Sequence, residues 1–250
     1  DTKRWQAIDI LNKNETQAAK VGFDWFIDDK TALTVYTNQW FGKGSGEIGS
    51  DIRETDTNKF HPNNSTFGGD WKSQDYSLNF KREFDKPDHN LILDAFFSKA
   101  NNPDARNMHN TYPEDDIYFE DRVNKTDNIR VNLDYSNKIS DNIKLEAGVQ
   151  YRNEKNDNTL LTDRRVDIEG TLIDPSTNFD FTRDFFSAYV NYNQKIGKFG
   201  MQLGVRAEQF KDKGDYVYNG IEASIKNDKL DFFPSAFLTY DITEKGQLSF

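Results

Sequence analysis

The sequence predicts an all-β fold: an antiparallel transmembrane β-barrel, present as a segment of a larger closed barrel. Three observations carry this. The stretch 183–211, RDFFSAYVNYNQKIGKFGMQLGVRAEQFK, alternates apolar and polar residues through two strands around a turn at Ile196, Gly197 and Lys198, where glycine supplies the backbone angles of a tight hairpin. Each of those strands runs about a dozen residues, enough to cross a bilayer when tilted. Connections between such strands alternate between short and long, as short periplasmic turns and long extracellular loops do in an outer-membrane barrel. Aromatic residues, finally, close both ends of the apolar face, where amphipathic rings prefer the two membrane interfaces.

In order along the chain, 1–17 is poorly patterned and is expected as a partial strand. Next, 18–27 sets Val21, Phe23, Trp25 and Ile27 on one face, turns at Asp28, Asp29 and Lys30, and returns over 31–41 with Leu33, Val35 and Phe41. A polar stretch rich in Gly, Asn, Asp and Ser, 42–70, reads as a long loop. The unit recurs with Tyr76, Leu78, Phe80 and Phe84, a turn near Lys86 and Pro87, and Leu91, Leu93, Ala95 and Phe97; a loop is expected over 100–125. A third hairpin carries Ile129, Val131, Leu133 and Tyr135, turns at Ser140, Asp141 and Asn142, and continues with Leu145, Ala147, Val149 and Tyr151 before a loop over 156–182. In the fourth, Phe186, Ala188, Val190 and Tyr192 share the apolar face with Phe199, Met201, Leu203, Val205 and Ala207. After a loop over 212–229, a fifth hairpin begins at Asp231, carries Ala236, Leu238 and Tyr240, and turns between Thr243 and Gly246. Nine full strands are thus expected and a tenth begins at Gln247. Its four residues reach roughly 13 Å, against an apolar band of about 25 Å, so the chain is expected to be a piece from the middle of a bigger barrel.

Composition narrows the classes. No apolar run approaches the roughly 18 residues of a membrane helix, while the 35% hydrophobic content does not exclude a barrel, because only alternate residues face lipid. A net charge of −10 argues against a nucleic-acid partner, which needs a basic face. The absence of cysteine removes disulfides and thiolate metal sites and fits an exported bacterial protein. No signal peptide opens the chain at Asp1, so the precursor's start is expected to be missing or cleaved.

The segments GFDWFIDDKTALTV, KLEAGVQYRNEKND, FSAYVNYNQKIGKFGMQLGVRAEQF and LDFFPSAFLTYDITEKGQLSF together resemble the barrel region of TonB-dependent receptors, especially the Bacteroidetes-type branch of these Gram-negative cell-envelope proteins. The AYVNY, GVRAE and FPSAFLTY strands in that order carry most of the likeness. The resemblance implies a barrel of 22 strands filled by an N-terminal plug domain, in the bacterial outer membrane, importing a siderophore, glycan, peptide or cofactor with energy passed from a TonB-type protein. Residues 1–250 would then be part of one barrel domain, with the plug and the remaining strands outside this chain. A surface lipoprotein or larger envelope complex is a further partner it suggests. The alternatives are a non-transporting barrel acting as a structural or docking subunit, and a soluble β-sandwich binding module.

No catalytic constellation stands out, so the expectation is a transporter and not an enzyme, with no cofactor and no metal site. The histidines His61, His89 and His109 fall in different connections, His89 at the opposite end from the other two; a His61 and His109 pair stays open. The acidic run PEDDIYFED, with Glu114, Asp115, Asp116, Glu120 and Asp121, matches no calcium-loop spacing and reads as a solvated loop. On the face opposite the apolar one, Asp94, Arg130, Asp134, Glu146, Gln150, Arg152, Arg206 and Glu208 point into a lumen, where they either hydrogen-bond a plug or line water. Girdle aromatics are Trp25, Phe84, Tyr135, Tyr192, Phe199 and Tyr240 near the short turns, and Phe41, Tyr76, Phe97, Tyr151 and Phe186 near the long loops. Phe60, Phe67, Tyr112, Tyr118, Tyr216 and Tyr218 are expected on the loops as candidates for ligand contact.

Overall fold

The computed structural model describes residues 4–54, 58–111, 115–164, 174–243 and 246–250. Period-two patterning produces ten strands: β1 (Arg4–Asp28), β2 (Thr31–Glu54), β3 (Phe60–Glu83), β4 (Asn90–Asn110), β5 (Asp116–Ser140), β6 (Ile143–Thr162), β7 (Thr177–Ile196), β8 (Phe199–Tyr218), β9 (Ile221–Thr243) and β10 (Gly246–Ser249). They form one 10-stranded antiparallel sheet in sequence order. The nine long strands and the short tenth follow the apolar pattern, and the turns after Asp28, Ser140 and Ile196 fall where it puts them. Phe84 lies just past the end of β3, in the connection to β4.

The polar stretches depart from expectation. Residues 1–17 are not a separate partial strand: from Arg4 onward they continue unbroken into β1, paired with β2 from Glu54 down to Thr31. Much of each expected loop is also strand. β2 runs on to Glu54 and meets β3 in an uninterrupted register from Thr31↔Arg82 to Arg53↔Phe60. β4 and β5 likewise pair out to Asn110↔Asp116. β8 and β9 are joined by two residues, Asn219 and Gly220, both in the left-handed region at φ 49° and 72°, the backbone of a two-residue Asn-Gly hairpin. The two ends of the sheet therefore differ by strand overhang. Beyond the lipid both faces of a strand meet water or lumen, so the ladder needs no apolar alternation there, and polar composition imitates a loop.

The strands are 20 to 25 residues long, whereas about 9 to 11 tilted residues cross the hydrocarbon. Roughly half of each strand stands clear of the membrane, on the side away from the short turns.

The faces are inverted relative to a water-soluble sheet. On β7, apolar Phe186 and Val190 are 49% and 40% exposed, while their neighbours Phe185 and Ser187 on the other face are 4% and 6% exposed. Among the described residues the strands form a single layer, and no second sheet covers its apolar face as a sandwich would require. Among the described residues no helix is long and apolar enough to cross a membrane, which leaves crossing by strands untouched.

Val205 lies on the exposed apolar face, paired with Val190 and Pro234. In the barrel containing these strands, Val205→Arg is expected to cost about 2–4 kcal/mol, measured as a drop in refolding stability in lipid vesicles. A neutral result would contradict the assignment of this face to lipid.

Candidate functional site

Directly paired residues in a sheet share a face, so the register converts single inward residues into transverse rows. One row starts with Asp24, Thr34, Asn79 and Asp94 on β1 to β4. It continues through Asn132, Gln150 and Ser187 to Glu208 and Asp231 on β5 to β9. Every member is polar, and several are bonded along the row. Thr34 Oγ1 donates to Asp24 at 2.5 Å, Asn79 Nδ2 to Asp94 at 2.6 Å, and Gln150 Nε2 to Asn132 at 2.7 Å. The Ser187 hydroxyl is buried with no partner among the described residues.

The adjacent rows are built differently. Toward the short turns, Asp134, Tyr189 and Arg206 fall on one row; the Tyr189 hydroxyl donates to Asp134 at 2.6 Å and Arg206 pairs with Glu208. One row further, Glu146 accepts from Asn193 Nδ2 at 3.2 Å and pairs with Lys144 at 2.7 Å. On the other side, Phe96, Arg130, Arg152, Phe185 and Phe210 form a cation–aromatic row. The Arg130 guanidinium lies 5.6 Å from the Phe96 ring centre and that of Arg152 lies 4.9 Å from Phe185, while the Phe185 and Phe210 rings sit 4.7 Å apart. Such contacts anchor the guanidinium planes against the wall.

All eight inward residues expected from the sequence thus gather on one face in four neighbouring rows. Reading by charge passed over their neutral partners Asn79, Asn132 and Ser187 and the inward aromatics Phe96, Phe185 and Phe210. The missing signal was the register: Phe185 beside Phe186 looks like one apolar doublet until pairing assigns the two rings to opposite faces.

The girdle residues lie on the opposite, exposed face. Phe199 and Tyr240 are 4.7 Å apart, Tyr151 and Phe186 4.6 Å, and Tyr76 and Phe97 6.1 Å. Phe84 stacks on His89 at 4.2 Å, and His89 meets Tyr135 edge-on at 5.5 Å. Trp25, Phe41 and Tyr192 share this face by alternation.

The expected loop aromatics are corrected: Phe60, Phe67, Tyr118, Tyr216 and Tyr218 stand on strands, not loops, because the overhang is a ladder. Phe60 is on the outer face, the other four on the inner one, and Tyr112 lies outside the described residues. The acidic run is also strand from Asp116 onward. Asp116 pairs with Arg164 at 2.9 Å and Glu120 with Arg122 at 2.5 Å, so guanidinium groups balance those two carboxylates; Glu114 lies outside the described residues. His109 bonds Asp115 at 2.7 Å. Among the described residues no group of three or more His, Asp and Glu is placed to hold a metal ion.

Above the girdle, Arg183 grips Asp212 through Nε at 2.7 Å and a second nitrogen at 3.1 Å. The hydrogen bond from Arg183 holds the Asp212 carboxyl below its ordinary value of 3.8. A depressed folded-state pKa contributes stability that is present above the ordinary carboxylate value and lost as pH falls through the lowered one. Arg183→Gln is therefore expected to cost about 0.5–1 kcal/mol at neutral pH for this partly exposed pair. The difference from the parent should shrink in acid below pH 3.8, as read by denaturant titration at several pH values; a constant difference would show that the pair does not carry the effect.

The outer membrane protein beta-barrel family matches residues 82–250. Among solved structures, the ferric yersiniabactin uptake receptor FyuA from Yersinia pestis superposes with a TM-score of 0.53 at 10% identity, covering 98% of this chain and 45% of that one. The siderophore receptor PiuA from Acinetobacter baumannii gives a TM-score of 0.47 at 12% identity, over 98% of this chain and 48% of its own. The chain spans about half the length of these receptors. No curated protein matches it.

Proposed function

This chain belongs to the outer membrane protein beta-barrel family, and from that premise we propose that it is barrel wall of a TonB-dependent receptor importing a scarce nutrient across the bacterial outer membrane. The observation that carries the proposal is the inner wall: a polar row crossing nine strands, flanked by Asp134, Arg206 and the arginine–aromatic row, and holding a buried Ser187 hydroxyl with no partner among the described residues. A wall of this kind is suited to hold a plug domain in cis by hydrogen bonds and ion pairs. An open sheet in lipid would leave the edge donors and acceptors of β1 unsatisfied, so further strands of the same parent chain complete the cylinder. Import of a siderophore, glycan, peptide or cofactor is then a matter of capture at the overhanging end and plug movement powered by a TonB-type protein. The wall binds and gates; it performs no bond-breaking chemistry.

The test uses the full parent receptor in planar bilayers. Arg206→Glu sets two carboxylates side by side where a cation met Glu208, and losing about 1–2 kcal/mol of plug contact raises the open fraction about tenfold. The parent should conduct almost no ions and Arg206→Glu should leak about tenfold more. Equal conductance would remove Arg206 from plug holding, and a parent that is itself a wide open pore would favour the docking-subunit alternative.

A further inference from the structure

The inner face of the overhang carries a row of amides between aromatic rings that the lumen rows do not explain. On one transverse row, Asn102, Asn124 and Asn158 of β4, β5 and β6 lie side by side, and none of their side-chain amides has a partner among the described residues. Strand spacing puts these amides about 4.8 Å apart, a run of about 10 Å offering both donors and acceptors.

Aromatic platforms close both ends of the run. On the β3 side, Trp71 pairs with Gly42, and a Cβ on Gly42 would fall inside the Trp71 indole; a Cβ on Gly46 would meet the edge of the Phe67 ring and, as closely, the Leu11 carbonyl oxygen. At Gly42 the missing side chain leaves room for the Trp71 indole to lie against the wall. On the β7 side, Asn158 pairs with Phe179 and Phe179 with Tyr216. Phe179 and Phe181 are near-parallel at 6.2 Å and 12°, and Tyr216 and Tyr218 repeat the arrangement at 6.3 Å and 17°.

Charge decides what this surface suits. The arginines of the inner overhang are matched by carboxylates: Arg106 with Asp104 at 2.7 Å, Arg122 with Glu120 at 2.5 Å, Arg164 with Asp116 at 2.9 Å and Arg183 with Asp212 at 2.7 Å. An anionic ligand would have to break these pairs. A ligand with flat C–H faces for the rings and neutral hydroxyl edges for the amides uses everything the wall offers and disturbs nothing.

Resting on the receptor reading above, we propose that this wall binds a neutral oligosaccharide, stacked on Trp71 and Phe179 and hydrogen-bonded by Asn102, Asn124 and Asn158. The measurement is calorimetric titration of the full parent receptor with neutral hexasaccharides of α-glucan, β-glucan, xylan and mannan type, beside ferric catecholate and ferric trihydroxamate complexes. At least one hexasaccharide should bind. Phe179→Leu, Asn124→Leu and Gly42→Val should each weaken it about tenfold, the last by lifting the Trp71 ring, while Phe179→Trp retains binding and shows that the fold survives. The proposal is overturned if no hexasaccharide binds, or if one binds with an affinity that Phe179→Leu and Asn124→Leu leave unchanged. Uptake separates the two levels. Sugar binding that depends on these residues without energised accumulation would sink the import reading alone, whereas energised accumulation of a ferric complex untouched by the variants would sink the oligosaccharide and leave import standing.

Discussion

In a hydrocarbon layer no water completes a backbone hydrogen bond, and this constraint organises the whole chain. It forces every strand to find its partner's ladder, which is why nine long strands pair in simple sequence order with almost uninterrupted register. Once the ladder is complete, each side chain has only two places to go. Apolar positions such as Phe186 and Val190 meet lipid, and their neighbours Ser187 and Tyr189 line the interior. The fold is therefore held by main-chain pairing and by the bilayer, not by a packed two-layer core.

The same ladder explains the interior. Because paired residues share a face, polar groups fall into transverse rows that bond to one another across strands. Thr34 to Asp24, Asn79 to Asp94 and Gln150 to Asn132 are three steps of one such row. Above it the guanidinium planes of Arg130 and Arg152 lean on Phe96 and Phe185, which holds their charge in place along the inner wall. Further out, amides and aromatic rings alternate with arginines that are each matched by a carboxylate, so one wall passes from a middle with fixed charge to an end where charge is paired.

The part of this structure that faces lipid was legible in the sequence, because only there does physics demand strict alternation. Tyr135, Tyr192, Phe199 and Tyr240 could be assigned from spacing alone. The overhang was not legible: around Gly42 to Gly46, or Asn156 to Asn158, both faces of the strand are wet, and even the Asn219–Gly220 turn falls within the loop expected over 212–229. The inward charged residues were found by type, yet Ser187, Asn132 and Phe185 needed the register. Trp71 is the clearest case, since its flat seat depends on Gly42 in another strand, a pairing that no local pattern contains.

Within the membrane the two sides of each strand face lipid and lumen respectively. These 250 residues contain no cysteine, so single spin labels can be introduced at 203–208, one position at a time, in the parent protein with any cysteine elsewhere replaced, reconstituted in bilayers. Collision with oxygen, which concentrates in lipid, and with a water-soluble nickel chelate would then be compared. Oxygen-dominated collision is expected at Leu203→Cys, Val205→Cys and Ala207→Cys and is expected to be absent at Gly204→Cys, Arg206→Cys and Glu208→Cys. Uniform accessibility along β8, or alternation of the opposite phase, would contradict it.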